Sequence, residues 1–233
     1  EAYNGLTALH QAAAGGYTPI VEALLETGAD PDLVSQNGVA PIVAAAERGH
    51  SETVLALLAG RADPDTPNAA GETALIHAAL NDAPGLVEAL IEAGSDVDAR
   101  SGSGLTPILA ASSVYSLPLV SRLHEAGADV SARLNNGASV LHHAVTATSV
   151  TGSTELLEYL LETGADLEAK DGNGDTPLTL SVVGHHYDAF PIIMEYDPDV
   201  NVRNEWGNTA LSAARRDNKQ EIANALVEAG AER

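Results

Sequence analysis

The chain has 233 residues, 45% of them hydrophobic, with one Trp, one Phe, one Met and six Tyr, so its core must be built from Ala, Leu, Val and Ile and suits closely spaced helices. Asp and Glu number 33 against 11 Lys and Arg, and a formal charge of -22 argues against phosphate backbones and anionic bilayers and for a basic or polar polypeptide as partner. Without cysteine there is no disulfide, thiolate nucleophile or cysteine zinc site, and no apolar run approaches the roughly 20 residues of a membrane helix.

Taken in chain order, the sequence repeats itself. Gly5, Gly38, Gly71, Gly104 and Gly137 stand thirty-three residues apart, Gly174 thirty-seven further on and Gly207 thirty-three beyond that. After each comes a short signature: TALHQA at 7–12, APIVAA at 40–45, TALIHA at 73–78, TPILAA at 106–111, SVLHHA at 139–144, TPLTLS at 176–181 and TALSAA at 209–214. Thr7, Thr73, Thr106, Thr176 and Thr209 suit a helix N-cap, with Pro or Ala at the first helical position where a missing N–H costs nothing.

A second helix follows in each unit, marked by doubled apolar pairs one turn apart: Ile20/Val21 with Leu24/Leu25, Leu86/Val87 with Leu90/Ile91, Leu156/Leu157 with Leu160/Leu161. Such a wide stripe touches a neighbour on each side. Gly28, Gly94, Gly127, Gly164 and Gly230 then end the helix in a left-handed conformation, inside signatures such as TGADPD (27–32) and AGSDVD (93–98).

These seven copies resemble the ankyrin repeat, and the resemblance spans essentially the whole chain. It implies an all-α solenoid of helix-turn-helix units with projecting β-hairpin loops, in one domain with repeats near 1–34, 35–67, 68–100, 101–133, 134–170, 171–203 and 204–233. The last repeat, with Lys219, Gln220, Asn224 and Glu228 on its second helix, reads as a polar cap. No comparable cap precedes the first repeat and the chain starts at Glu1; together these favour a regulatory or recruiting domain excised from a larger enzyme or channel as the alternative to a free-standing scaffold.

The resemblance also absorbs most candidate chemistry. It gives His10 and His142 the task of holding a turn by hydrogen bonding, and His50 that of the turn between helices. The recurring Asp30, Asp63, Asp96, Asp129, Asp166 and Asp199 are expected to bind backbone N–H groups. DGNGDT at 171–176 imitates a calcium loop but has Thr176 where Gly is needed and Val182 where Glu is needed. No G-x-S-x-G, H-E-x-x-H or phosphate-loop motif occurs, so no enzyme activity, cofactor or metal is expected.

By the same resemblance, partner contacts are carried by residues around the hairpin glycine and after the first helix. Leu6, Val39, Glu72, Leu105 and Asp175 follow that glycine, Asn4, Asn136 and Trp206 precede it, and Glu47, Arg48, Val114 and Arg216 end first helices. The sole Trp is a candidate hot spot at a finger tip. The implied function is a monomeric protein-binding scaffold with an acidic concave groove; the cytoplasm is the expected compartment, with a periplasmic or secreted mature form left open.

Two irregularities adjoin. Repeat five carries four extra residues within Ala147–Ser153, expected in the turn between its helices, and repeat six has GHHYDAFP in its own turn. Register sets His186 on the family's histidine and His185 on its glycine. Pro191 in a helix interior costs ~3 kcal/mol, so the helix is expected to start late with Asp188 as a capping carboxylate. His185 and Tyr187 in this lengthened turn are further contact candidates; a small-molecule or metal site at residues 147–188 is the weaker alternative.

Overall fold

The computed structural model describes residues 5–232, and its backbone contacts divide into two compact units, one ending at Asp129 and the other beginning at Val130. The first unit holds α1 (Ala8–Ala14), α2 (Thr18–Glu26), α3 (Pro41–Glu47), α4 (Ser51–Ala59), α5 (Ala74–Leu80), α6 (Pro84–Glu92), α7 (Pro107–Ser113) and α8 (Leu117–Glu125). Odd-numbered helices pack side by side as one layer, even-numbered helices as a second. Small residues make this possible: α3 buries Pro41 through Ala46, and α5 buries Ala74 through Ala79. The wider second helices add Val87, Leu90, Val120 and Leu123, fully buried at about 2 kcal/mol each.

The second unit holds α9 (Val140–Thr151), α10 (Glu155–Glu162), α11 (Pro177–Val183), α12 (Ala189–Met194), α13 (Ala210–Arg216) and α14 (Gln220–Glu228). The doubled leucines of α10 (156, 157, 160 and 161) are all buried. The exposed Lys219, Gln220, Asn224 and Glu228 give α14 its polar outer surface.

Local chemistry sets the helix starts as the sequence predicts. The threonine hydroxyls at 7, 73, 106, 176 and 209 each accept the backbone N–H three residues on. The hairpin loops are tighter than β-hairpins: each is closed by two backbone bonds, such as Ser35 N to Val39 O and Gly38 N to Ser35 O, and among the described residues a single strand-type bridge, Arg133 with Ser139, occurs. The glycine in each loop is left-handed, as at Gly38 with φ 70° and Gly174 with φ 76°.

Two expectations are corrected. The extra residues of repeat five do not enlarge a turn; they lengthen its first helix, so that α9 has 12 residues where the other first helices have 7. Thr146, Thr148 and Thr151 stay helical by bonding their hydroxyls to carbonyls three or four residues back, and Gly152 at φ 72° ends the helix. In repeat six the helix does begin late, after Asp188, and Pro191 lies in its first turn; Asp188, however, has helical φ and ψ and its carboxylate caps nothing.

Candidate functional site

The loops after the second helices show what part of the acid excess does. Asp30, Asp63, Asp96, Asp166 and Asp199 each accept the backbone N–H two residues on, at 2.9–3.0 Å. The acid two positions later reaches the next repeat: in the first unit Asp32 accepts Asp63 N at 2.8 Å, Asp65 accepts Asp96 N at 2.9 Å and Asp98 accepts Asp129 N at 2.9 Å. In the second unit Glu168 accepts Asp199 N at 2.8 Å and Asn201 accepts Glu232 N at 2.7 Å. This ladder ties repeats together with four carboxylates and, at Asn201, a carboxamide; burial, with the repulsion of Asp63 and Asp96 adding to it, pushes the Asp65 carboxyl above the usual carboxylate range.

The histidines do more than hold their own turns. His10 Nδ1 meets Thr7 Oγ1 at 2.8 Å while Nε2 meets the Val39 carbonyl of the next repeat at 3.0 Å. His142 repeats the pattern with Ser139 Oγ at 2.9 Å and the Asp175 carbonyl at 2.8 Å. Burial holds both imidazoles below their ordinary pKa. His50 Nε2 reaches back to Ala14 O at 3.2 Å. DGNGDT is a hairpin, not an ion loop: Asp171 Oδ1 accepts the N–H groups of Asn173 and Asp175 at 2.8 and 2.9 Å.

In the first unit the expected contact residues form two rows. Leu6, Val39, Glu72 and Leu105 lie half-buried at the base of the hairpins, and Glu47 and Arg48 stand exposed at the end of α3, with Val114 half-buried at the end of α7. Glu72 is also held in place, accepting from Asn68 at 2.9 Å and lying 3.3 Å from His77. These rows are close to charge balance, whereas Glu22, Glu26, Glu52, Glu88 and Glu92 ride on the second helices and the Asp pairs on the loops behind them.

In the second unit Trp206 is 64% exposed on a hairpin tip whose backbone is fixed by Asn204 Oδ1, which accepts both Trp206 N and Asn208 N. Asn136 occupies the matching exposed tip of its own repeat. Asp175 is corrected: only 2% exposed, it spends its carboxylate on Asn204 Nδ2 at 2.9 Å and offers a partner nothing. Burial pushes its carboxyl up. Asn4 lies outside the described residues.

The turn between α11 and α12 gathers several expected residues. His185, at φ 63° in the family's glycine position, points Nδ1 at the Tyr187 hydroxyl at 2.6 Å and at Asp217 at 3.5 Å, while His186 turns instead to Ser149 at 2.9 Å on the extended α9. The two imidazoles therefore serve different partners and do not converge on one ion. Burial lowers the His186 pKa, with His185 adding to the effect. Arg216 forks onto Asp217 at 2.9 and 3.2 Å and holds that carboxyl below its usual range. Lys219, which the sequence suggested only as a capping residue, stands over the Tyr187 ring at 4.1 Å. Also unforeseen were the exposed Leu33 and Val34 before the second hairpin, legible as an apolar pair, and Val150, 64% exposed on the added turns of α9.

A family model described as ankyrin repeats (three copies) matches residues 9–101, 75–171 and 146–232. The crystal structure of the ankyrin repeat domain of Bcl-3, a member of the IkappaB protein family, is similar with a TM-score of 0.78 and 25% identity, covering 97% of this chain and 100% of that one. The human ASB11 ankyrin repeat domain is similar with a TM-score of 0.77 and 24% identity, over 98% of this chain and 100% of that one. No curated protein matches the sequence. Helix pairs, left-handed hairpin glycines, threonine caps and the matching models together mean that the chain belongs to the ankyrin repeat family, as an all-α repeat solenoid.

Proposed function

We propose that the protein is a non-catalytic scaffold that binds another protein through its hairpin tips and the ends of its first helices. Family membership supports binding in general, since ankyrin domains are interaction modules. The observation that carries the particular reading is Trp206, a large aromatic left 64% exposed on a backbone locked by its own hydrogen bonds. A preorganised aromatic loses little freedom on binding, and such residues dominate interface energies. The acidic groove expected from net charge takes a modified form in this proposal: near-neutral contact rows make the contacts, while carboxylates on the second helices and following loops steer a basic or polar segment toward them.

Affinity capture from native lysate with wild type, Trp206→Ala and Arg48→Ala as baits tests this reading. A partner held by wild type should be lost roughly thirtyfold with Trp206→Ala, the effect of a hot spot, and its capture should weaken as salt rises. Equal capture by wild type and Trp206→Ala sinks the contact assignment, and salt-independent capture sinks the electrostatic part. Melting of Trp206→Ala should match wild type, because an exposed ring supports little of the fold.

A further inference from the structure

The late start of α12 leaves a gap in the second unit. α12 has 6 residues, against 9 in α14 and 8 in α10. Missing its first turn, it fails to cover the start of α14, and a cleft of about 590 Å³ opens there, with Tyr187, Phe190, Pro191 and Ile222 as apolar lining and Lys219 and Glu221 among the polar residues. Ile222 measures the loss: it is partly exposed, whereas Leu86 and Leu119, in the matching positions of α6 and α8, are 3% and 1% exposed.

The first unit has a cleft of the same volume between α2 and α4, but its lining is Glu22, Glu26, Leu25 and small residues such as Ala56 and Gly60. Charge and floor both differ. In the second unit the floor is a ring, a proline and aliphatic carbon, and the Lys219 ammonium rests on the Tyr187 ring. The adjacent carboxylate, Asp217, is already engaged by Arg216. Arg215, Arg216 and Lys219 fall within five residues of a chain that has only 11 Lys and Arg in all.

We propose that this cleft receives a bulky apolar side chain of a partner peptide whose neighbouring residue is acidic. The apolar group covers Pro191 and Ile222, above the buried edge of Phe190, and completes the packing that the shortened helix leaves open; the carboxylate meets Lys219. Glu221 in the same lining limits the segment to one acid on the Lys219 side. The wide mouth, with Pro191, Lys219 and Glu221 all exposed, suits a peptide rather than an enclosed small molecule. Net charge favours basic partners, and this corner selects the opposite. The inference is independent of the hairpin reading and uses a different face of the repeat.

Titration of the full chain, nitrogen-15 labelled, with N-acetyl-Leu-Glu-amide, N-acetyl-Leu-Gln-amide and N-acetyl-Leu-Lys-amide tests it. At millimolar peptide, the amides of Tyr187, Phe190, Lys219 and Ile222 should shift with Leu-Glu, about fivefold more weakly with Leu-Gln, the scale of one exposed ion pair, and least with Leu-Lys. Lys219→Glu should reverse the order of Leu-Glu and Leu-Lys, and Ile222→Trp should fill the cleft and abolish the shifts. Should Ile222→Trp fail to fold, the surface substitution Lys219→Glu still decides. Absence of localised shifts, shifts centred elsewhere, or equal response to Leu-Glu and Leu-Lys overturns the proposal. Trp206→Ala should leave the titration unchanged, which separates its failure from that of the hairpin reading.

Discussion

The four helix pairs of the first unit all have the same dimensions, seven residues followed by nine. The three pairs of the second run twelve and eight, seven and six, seven and nine. Regular spacing lets each second helix after α2 be sealed by the one before it, so the matching positions Thr53, Leu86 and Leu119 are all buried, whereas Ile20 at the same position of α2 is 52% exposed. In the second unit one proline and a displaced helix start undo that seal, and apolar surface becomes available. Repetition stabilises the array; its interruption is where a surface with its own chemistry arises.

The largest test of this contrast compares matched truncations. Leu86→Ala removes a side chain from a sealed position and should cost about 3 kcal/mol, whereas Ile222→Ala, beside an existing cleft, should cost about 1 kcal/mol, because little new cavity is made. Shifts in the urea midpoint measure both. Equal costs would mean that the α12 start leaves α14 as well packed as its counterparts.

Next in size is the histidine that ties one repeat to the next. His142→Leu severs bonds to Ser139 and to the Asp175 carbonyl and should cost about 2 kcal/mol at pH 7.5. Its pH dependence has a definite sign. Burial depresses the folded-state pKa, so the unfolded chain takes up the proton first; the stability due to neutral His142 is complete above about pH 6.5 and declines as pH falls toward the depressed folded value. His10 in the first unit is shifted in the same direction. Asp65 and Asp175 act oppositely and lower down, since their raised pKa values add stability as pH falls through the carboxylate range. Melting temperature followed from pH 7.5 to 5.5 should fall in wild type and fall less in His142→Leu; an unchanged slope would remove His142 as its source.

Most of the fold was legible because each repeat states the same local chemistry again. Threonine caps, left-handed glycines and doubled leucines act within one unit or between neighbours, and the structure has them at the expected residues. The carboxylate ladder was half legible: the bond from Asp30 to its own turn follows from spacing, but the reach of Asp32 to Asp63 N depends on how repeats stack. Thr, Ser and Gly in the added residues of repeat five favour a turn, yet tertiary context keeps them helical up to Gly152, with the threonine hydroxyls satisfied on the helix backbone. Asp175 looked exposed by register, and only the three-dimensional pairing with Asn204 turned it inward. The late start of α12 was legible in Pro191, but the cleft it opens was not, since its walls come from two helices in different repeats.

The smallest effect separates strain from purpose in the turns between helices. Gly16 and Gly49 hold the left-handed position there at φ 67° and 75°; Tyr115 in the first unit and His185 in the second hold it at 62° and 63°. A non-glycine residue pays about 1 kcal/mol for that backbone, so Tyr115→Gly should gain about that much stability. His185→Gly relieves the same strain but loses the exposed contacts to Tyr187 and Asp217, and should gain less than Tyr115→Gly. Thermal unfolding of both variants at pH 7.5 measures the difference. Equal gains would show that His185 holds nothing, leaving Tyr187 to be positioned by Lys219 alone. A smaller gain for His185→Gly means that the strained residue is retained for the ring it orients at the edge of the cleft.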